Sequence, residues 1–293
     1  MSLTPYDICC FFLIYSFLGW VIEVVFHVVV GGKIINRGFL NGPICPVYGF
    51  GMICVLLIYN LVGSDNTFIV FLEGLVFTTL IELIAGFILD KFFHARWWDY
   101  SSMPLNLNGY ICLGFSIIWG LAVVFVIKLV HVFIYNCTSA IIPEKIGWPV
   151  MIAMYVVFIT DTVVTALTLI GLNKKLEELD RISESIKNVS DKMTDRIGNK
   201  SLNALQTAQE SAVQASLAKA ELQDKYNDTK AELQDRYYDT KEELQQRYEE
   251  LKASLTAHRH YGVGRLLRAF PNVRYRTHQD IVEDIKRLIR IEN

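Results

Sequence analysis

Two carboxylates stand where a membrane-spanning stretch has no ordinary use for charge. Glu23 and Glu82 each lie about seven residues from the end of an apolar run, or roughly 10 Å deep at 1.5 Å per residue. An ionisable group at that depth is costly, faces the protein interior, and can bind a cation, relay a proton or pair with an arginine. Arg37 and Arg96 follow the two runs and are natural partners. The same four residues therefore read as a polar site or as two buried ion pairs that hold helices together. Asn36, Asp99, Asn106 and Asn108 extend the candidate polar site. Glu73 and Asp161 lie further from this face, and Asp161, among Thr160, Thr162, Thr165 and Thr168, also suits hydrogen bonding between helices. No nucleophile–base pair and no metal-ligand spacing accompanies these acids, so neither catalysis, metal nor cofactor is expected. An enzyme acting on a lipid headgroup through Glu23, Glu82 or Asp99 is the least supported alternative.

The elements that must position these residues are irregular. Gly38, Gly42, Pro43, Pro46, Gly49 and Gly51 crowd the stretch 36–51. Proline removes amide donors and glycine permits close approach, so no regular helix can run across the stretch. Its freed peptide groups need a cavity or caps from Asn36, Asn41 and Tyr48. It reads equally as a broken, re-entrant segment of the kind that builds transporter sites or as a tight turn. The second stretch runs from Arg96 through Trp97, Trp98, Asp99, Tyr100 and Ser101 to Asn106, Asn108 and Gly109. Its aromatics fit an interfacial belt, while its polar residues exceed what a belt requires. A short in-plane helix is the expected form.

Composition divides the chain near Asn173. Residues 1–172 hold only 6 of the 28 Lys/Arg and 9 of the 30 Asp/Glu, a contrast that no single soluble core produces. Five apolar segments, about 6–30, 43–62, 68–89, 109–134 and 148–172, approach the roughly 20 residues a spanning helix needs. The first lacks a basic leader and a cleavage site and is expected to stay in the protein. The second is short and Gly/Pro-laden, which allows a partly re-entrant path. With the N-terminus outside, Lys33, Arg37, Lys91, Arg96, Lys174 and Lys175 lie inside and Lys145 outside, while Lys128 snorkels. All six cysteines lie in this half, without paired spacing, and read as small packing residues.

From Lys174 to about 258 there is no proline and one glycine, Gly198. Leu179, Ile182, Ile186, Val189, Met193 and Ile197 step at helical spacing, and Gly198-Asn199 is expected to break or bend the helix. An eleven-residue repeat follows over 220–252, with the stripe Leu222, Tyr226, Thr229, Leu233, Tyr237, Thr240, Leu244, Tyr248 and Leu251. That period favours a straight or right-handed supercoil. Glu221–Lys225, Glu232–Arg236 and Glu243–Arg247 are i,i+4 pairs in the favourable order. A second copy of the chain is the preferred partner for the stripe, ahead of a folded-back segment or another protein. Alternating charge leaves no basic face for nucleic acid. Beyond Tyr261-Gly262, a basic amphipathic stretch with Arg265, Arg268, Arg274 and Arg276 can lie on the inner leaflet or dock on the protein. Thr277 and Asp280 resemble a capping box opening a last helix.

Phe17-Leu18-Gly19-Trp20 with Glu23, the segment 36–51, the segment 97–109 and the later Arg265-Leu266-Leu267-Arg268-Ala269-Phe270-Pro271-Asn272 resemble the ABC-transporter type IV permease family. The resemblance implies a multi-pass protein of the cell membrane of a Gram-positive bacterium, and it supplies no substrate or catalytic residue. Gly19, Trp20, Gly38, Gly42, Pro43, Pro46, Gly49, Trp97, Trp98, Tyr100 and Gly109 then form the structural signature. The expected fold is all-α. A polytopic bundle of about five spans (1–172) precedes a cytoplasmic helical, coiled-coil region (173–260) and a basic amphipathic segment (261–293). The expected function is a permease component that contacts membrane lipid, self-associates through its tail and works with a separate ATPase subunit. The alternative is a membrane scaffold or sensor that recruits partners through the tail.

Overall fold

A computed structural model describes residues 3–141, 144–210, 216–256 and 262–291, and most side chains between 196 and 233 fall outside the description. The chain forms two compact units, Met1–Asn173 with His258–Asn293, and Lys174–Ala257.

The first unit is a helical bundle. Helix α1 (Pro5–Gly31) opens on a capping box in which the Thr4 side chain accepts from the Asp7 amide and the Asp7 carboxylate accepts from the Thr4 amide. Helix α2 (Pro46–Val62) starts on its own proline and stops at Gly63, and α3 (Thr67–Phe93) is capped by Asn66. Helix α4 (Leu113–Phe125) passes through a π-helical turn, Val126–Val130, into α5 (His131–Ile141). Helix α6 (Glu144–Glu210) supplies residues to both units. Four of these helical stretches are long and apolar enough to cross a membrane, and α2, at 17 residues, is shorter. All-α architecture is thus as expected, with Pro43 lying ahead of the second helix rather than in it.

Small residues set the helix spacing. A Cβ on Gly49 would stand 2.8 Å from the Phe12 carbonyl oxygen and against the Ser16 hydroxyl, and one on Gly74 would meet Val123 at 2.6 Å. Such close approach lets dispersion and packing hold helices together where lipid offers no hydrophobic contrast. Phe11, Tyr15, Val55, Val70, Val123 and Ile127 form the core between them. Helix α6 packs on α1 in the same direction. Trp148 meets Tyr6 at 5.6 Å, the Tyr155 hydroxyl donates to the Cys9 carbonyl at 3.0 Å, and Phe158 meets Phe12 at 5.6 Å. Val29, Phe92, Phe133, Val157 and Leu167 point outward and exposed, as a lipid-facing surface requires.

Both irregular stretches turn back along the helix they follow. After α1 ends, Asn36 accepts from the Trp20 indole at 2.7 Å, and the Cys45 amide donates to the Ser16 carbonyl at 2.9 Å. Trp20 lies about 22 Å from the start of a helix roughly 40 Å long, so any placement of a 30 Å hydrocarbon core along α1 contains that level. The first stretch is therefore re-entrant rather than a terminal turn. The second does the same along α3. Arg96 reaches Asp90, Trp98 lies over Gly86, and Tyr100 reaches Glu82. Two residues of extended chain advance about 6.6 Å and four helical residues about 6 Å, so alternate side chains step down one helix face. No in-plane helix forms here. The segment instead closes as a hairpin between β2 (Asn106–Leu107) and β3 (Ile111–Cys112), with Leu105, Asn108 and Gly109 at positive φ. The short strand before it, β1 (Ala95–Arg96), pairs antiparallel with β4 (Arg274–Tyr275).

The C-terminal segment belongs to this unit. It comprises α8 (Gly262–Ala269), β4 and α9 (Gln279–Ile291). Leu266, Leu267, Ala269, Val273, Val282 and Ile285 are buried. Helix α9 begins two residues beyond the expected Thr277, with His278 at φ 68 and the Gln279 side chain turned back to the Tyr275 amide. A left-handed residue between Thr277 and the helix prevents the capping box.

The second unit is an antiparallel hairpin of the later part of α6 and α7 (Ser216–Thr256). Glu178 pairs with Arg247 at 2.7 Å, Lys175 with Ser254 at 3.0 Å, and Ser190 with Tyr237 at 3.4 Å. Leu176, Leu179, Ile182 and Leu255 are buried. The partner of the stripe at this end is the chain's own returning helix. Arg247 leaves its expected i,i+4 partner Glu243 for Glu178 across the hairpin. The helix continues through Gly198 without a break, because one glycine costs only about 1 kcal/mol against a long run of helix formers. The side chains of Leu222, Tyr226, Thr229 and Leu233, and the pairs Glu221–Lys225 and Glu232–Arg236, lie outside the described residues.

Gly49→Val should force α1 and α2 apart. The expected cost is about 1–3 kcal/mol, read as a lowered melting temperature of the detergent-purified protein.

Candidate polar site between the membrane helices

Four helices bring two acid–tyrosine pairs together. The Tyr48 hydroxyl on α2 donates to Glu23 on α1 at 2.7 Å, and the Tyr100 hydroxyl donates to Glu82 on α3 at 3.1 Å. Trp119 of α4 stands edge-on to Tyr48 at 5.7 Å and also reaches Glu82. Burial, then Glu82, and more weakly Glu23 push the Tyr100 hydroxyl well above the usual tyrosine range, so both acids act on one phenol. Tyr48 can sit here because Gly19 has no side chain, since a Cβ there would overlap its ring. Arg37 lies 3.8 Å from Glu23, too far for a hydrogen bond, and one oxygen of Glu82 is buried without a partner among the described residues.

Arg96 does not pair with Glu82. It donates to Asp90 at 3.2 Å and to the Asn108 carbonyl at 3.0 Å, because the returning chain meets α3 two register steps nearer its end. Asp90 is fully buried and accepts two further groups. Arg276 holds both its oxygens, at 2.8 and 2.7 Å, and the Tyr110 hydroxyl donates at 2.5 Å. A buried carboxylate persists in ionised form only when paired and hydrogen-bonded in this way.

The first stretch is held by side chains rather than by a cavity. Asn36 accepts from the Gly38 amide and donates to the Asn41 carbonyl. Asp161 accepts from the amides of Asn41 and Gly42, at 3.1 and 2.7 Å, and from the Asn41 side chain. Tyr48, expected as a cap here, serves Glu23 instead. Arg265, from the far end of the sequence, donates to the carbonyls of Gly38 and Phe39 at 2.9 and 3.0 Å and to the Asn41 side chain at 3.1 Å. Burial holds its guanidinium below the usual range, with Asp161 opposing that effect. Phe270 then stacks edge-on to Trp97 at 4.7 Å, and Trp97 to Phe39 at 5.2 Å, so one aromatic cluster joins both stretches to the C-terminal segment.

Of the expected site residues, Glu23, Glu82 and Tyr100 converge. Asp99, Asn106 and Asn108 do not join them. Asp99 accepts from Ser101 and pairs with Arg274 at 2.7 Å. Asn106 braces the hairpin by donating to Met103 and accepting from Gly109, where φ is 75°. Trp98 donates to the Tyr110 carbonyl and Trp20 to Asn36, so these indoles are braces within the fold. Asp90 is the residue that sequence reasoning missed. Arg265, Arg274 and Arg276 were visible as a basic stretch able to dock on the protein, and they do so, on partners that cannot be read from a linear sequence.

Residues 10–166 match the family described as "Putative ABC-transporter type IV". The chain belongs to that family, whose members are membrane transporter components by description. The match covers the bundle and both returning stretches, while α8, β4 and α9 lie outside it. No curated protein and no solved structure matches the chain.

Arg265→Ala leaves two buried carbonyls without their donor and should cost about 1–3 kcal/mol, measured as a fall in melting temperature that Arg265→Lys only partly restores. The Ser101 hydroxyl and amide, with Arg274, hold the Asp99 carboxyl below its ordinary value. That contribution is complete above the unfolded value and is lost as pH falls through the lower folded one. Proteolytic cleavage within 262–291 should therefore rise as pH falls below about 4, with a smaller step in Asp99→Asn.

Proposed function

We propose that this chain is the permease component of a membrane transporter, with the Glu23–Tyr48 and Glu82–Tyr100 pairs lining the substrate path. The carrying observation is that two carboxylates from different helices accept their hydrogen bonds from neutral hydroxyls, with Arg37 at 3.8 Å from Glu23 and no arginine paired with Glu82 among the described residues. Purely structural acids in this bundle are neutralised, as Asp90 is by Arg276 and Arg96. The pair at Glu23 and Glu82 keeps negative charge in reserve, which suits a path for a cationic or proton-donating group. The chain has no Gly-x-x-x-x-Gly-Lys-[Ser/Thr] loop, so nucleotide hydrolysis falls to a separate ATPase subunit. The Lys/Arg distribution supports an N-terminus outside and a C-terminus inside a bacterial cell membrane, with the acid–tyrosine cluster nearer the cytoplasm. Few helices line such a path in one copy, and self-association would supply more. Glu23→Gln and Glu82→Gln should keep the amount of folded protein unchanged and abolish substrate stimulation of the co-purified ATPase. Loss of folded protein in both would instead mark the acids as structural.

The hairpin favours a second reading, a scaffold that recruits a partner through residues 174–257. Deletion of 176–256 with a short linker should leave transport intact under the permease reading and abolish function under the scaffold reading.

A further inference from the structure

At the opposite end of the bundle, near the starts of α1 and α3, one acid stands apart. Glu73 on α3 is 7% exposed, and both its carboxylate oxygens are buried without a hydrogen-bond partner among the described residues. Glu23, Glu82, Asp90 and Asp161 each accept at least one hydrogen bond. Glu73 lies one turn from Val70 and precedes Gly74, which packs on Val123, so its surroundings are the apolar core of the bundle. An isolated carboxylate cannot stay ionised in such a place without a proton or a cation.

A polar line leads to it from the surface. Asp65, in the connection between α2 and α3, has a side chain 88% exposed and accepts from the Tyr59 hydroxyl at 2.5 Å. Tyr59, on α2, packs against the core cluster that contains Val70, one helical turn from Glu73. Lys128 donates to the Asp65 carbonyl at 2.7 Å from the π-helical turn, a geometry that often marks functional positions. The other titratable groups that adjoining helices bring to this end are Tyr15 on α1, bonded to His131 at 2.8 Å, and Tyr135 on α5. None of them hydrogen-bonds the carboxyl, and no group of three metal-ligating side chains occurs among the described residues. A lone carboxyl without surrounding oxygen ligands suits a proton rather than a metal cation.

We infer that Glu73 is a proton-binding site within the membrane, loaded and unloaded through Tyr59 and Asp65 from the end of the bundle opposite the acid–tyrosine cluster. The inference does not depend on that cluster or on the transport reading.

Dicyclohexylcarbodiimide, an apolar reagent, tests it on the full chain in detergent or liposomes. A protonated buried carboxyl gives its proton to a carbodiimide nitrogen, and its oxygen adds to the central carbon. The adduct rearranges to a stable N-acylurea that mass spectrometry locates. The expected result is modification of Glu73, with a rate that falls as pH is raised across the range in which the protein stays folded. A water-soluble carbodiimide should leave it unmodified. No adduct on Glu73 overturns the inference. So does an adduct whose rate is constant across that range, which marks a permanently protonated packing residue. After an abrupt shift from acid to alkali, reactivity should vanish within mixing in the parent and decay measurably more slowly in Tyr59→Phe. Equal decay in both overturns the assigned route.

Discussion

Everything in the first unit depends on satisfying peptide groups at a depth where water is scarce. A chain that leaves a spanning helix and turns back along it carries bare amides and carbonyls into hydrocarbon, each costing several kcal/mol if left alone. The protein answers with three kinds of side chain. Asn36 bridges within its own stretch, Asp161 collects amides from a neighbouring helix, and Arg265 supplies donors to carbonyls. The glycines and prolines of the stretch create the demand, and these polar residues meet it. Hydrophobic packing then closes around a backbone that is already satisfied.

Charge follows a parallel division. Where an acid serves the fold, as Asp90 does, it is surrounded by two guanidiniums and a phenol, and the arrangement is rigid because each donor is also fixed elsewhere. Arg96 illustrates the point, since it lies over the Tyr110 ring at 4.8 Å while donating to Asn108. Where an acid accepts hydrogen bonds only from neutral side chains, the bond is exchanged more cheaply than a buried ion pair is broken, at about 1.5–3 against about 3–5 kcal/mol. Glu23 and Glu82 are of this second kind. The contrast between the two kinds of acid, rather than the presence of acids alone, separates scaffold from site.

Much of this was legible in the sequence, because apolar length and Gly/Pro content are local properties. The spanning stretches, the irregularity of 36–51 and the depth of Glu23 and Glu82 follow from them directly. What could not be read was register. Arg96 falls on Asp90 instead of Glu82 because the extended chain and the helix happen to match at two residues against four. The partners of Arg265 and Arg276 lie 227 and 186 positions away, a separation that no periodicity encodes. The helical stripe of the tail was visible as well, but a stripe does not say whether its complement is another molecule or the same chain returning, and Arg247 on Glu178 decides that for the base of the hairpin.

The long reach of those arginines has a consequence for biosynthesis. Gly38, Phe39 and Asp90 emerge early, yet the guanidiniums that complete them are translated only after the whole hairpin. At roughly 5–20 residues per second, the nascent bundle waits on the order of ten seconds or more with its re-entrant carbonyls and a deep aspartate lacking their final donors. The closing arginines thereby complete the bundle only after the hairpin has been made. A ribosome that stalls inside the hairpin releases a bundle with these sites still unpaired, the kind of defect that membrane quality control can recognise.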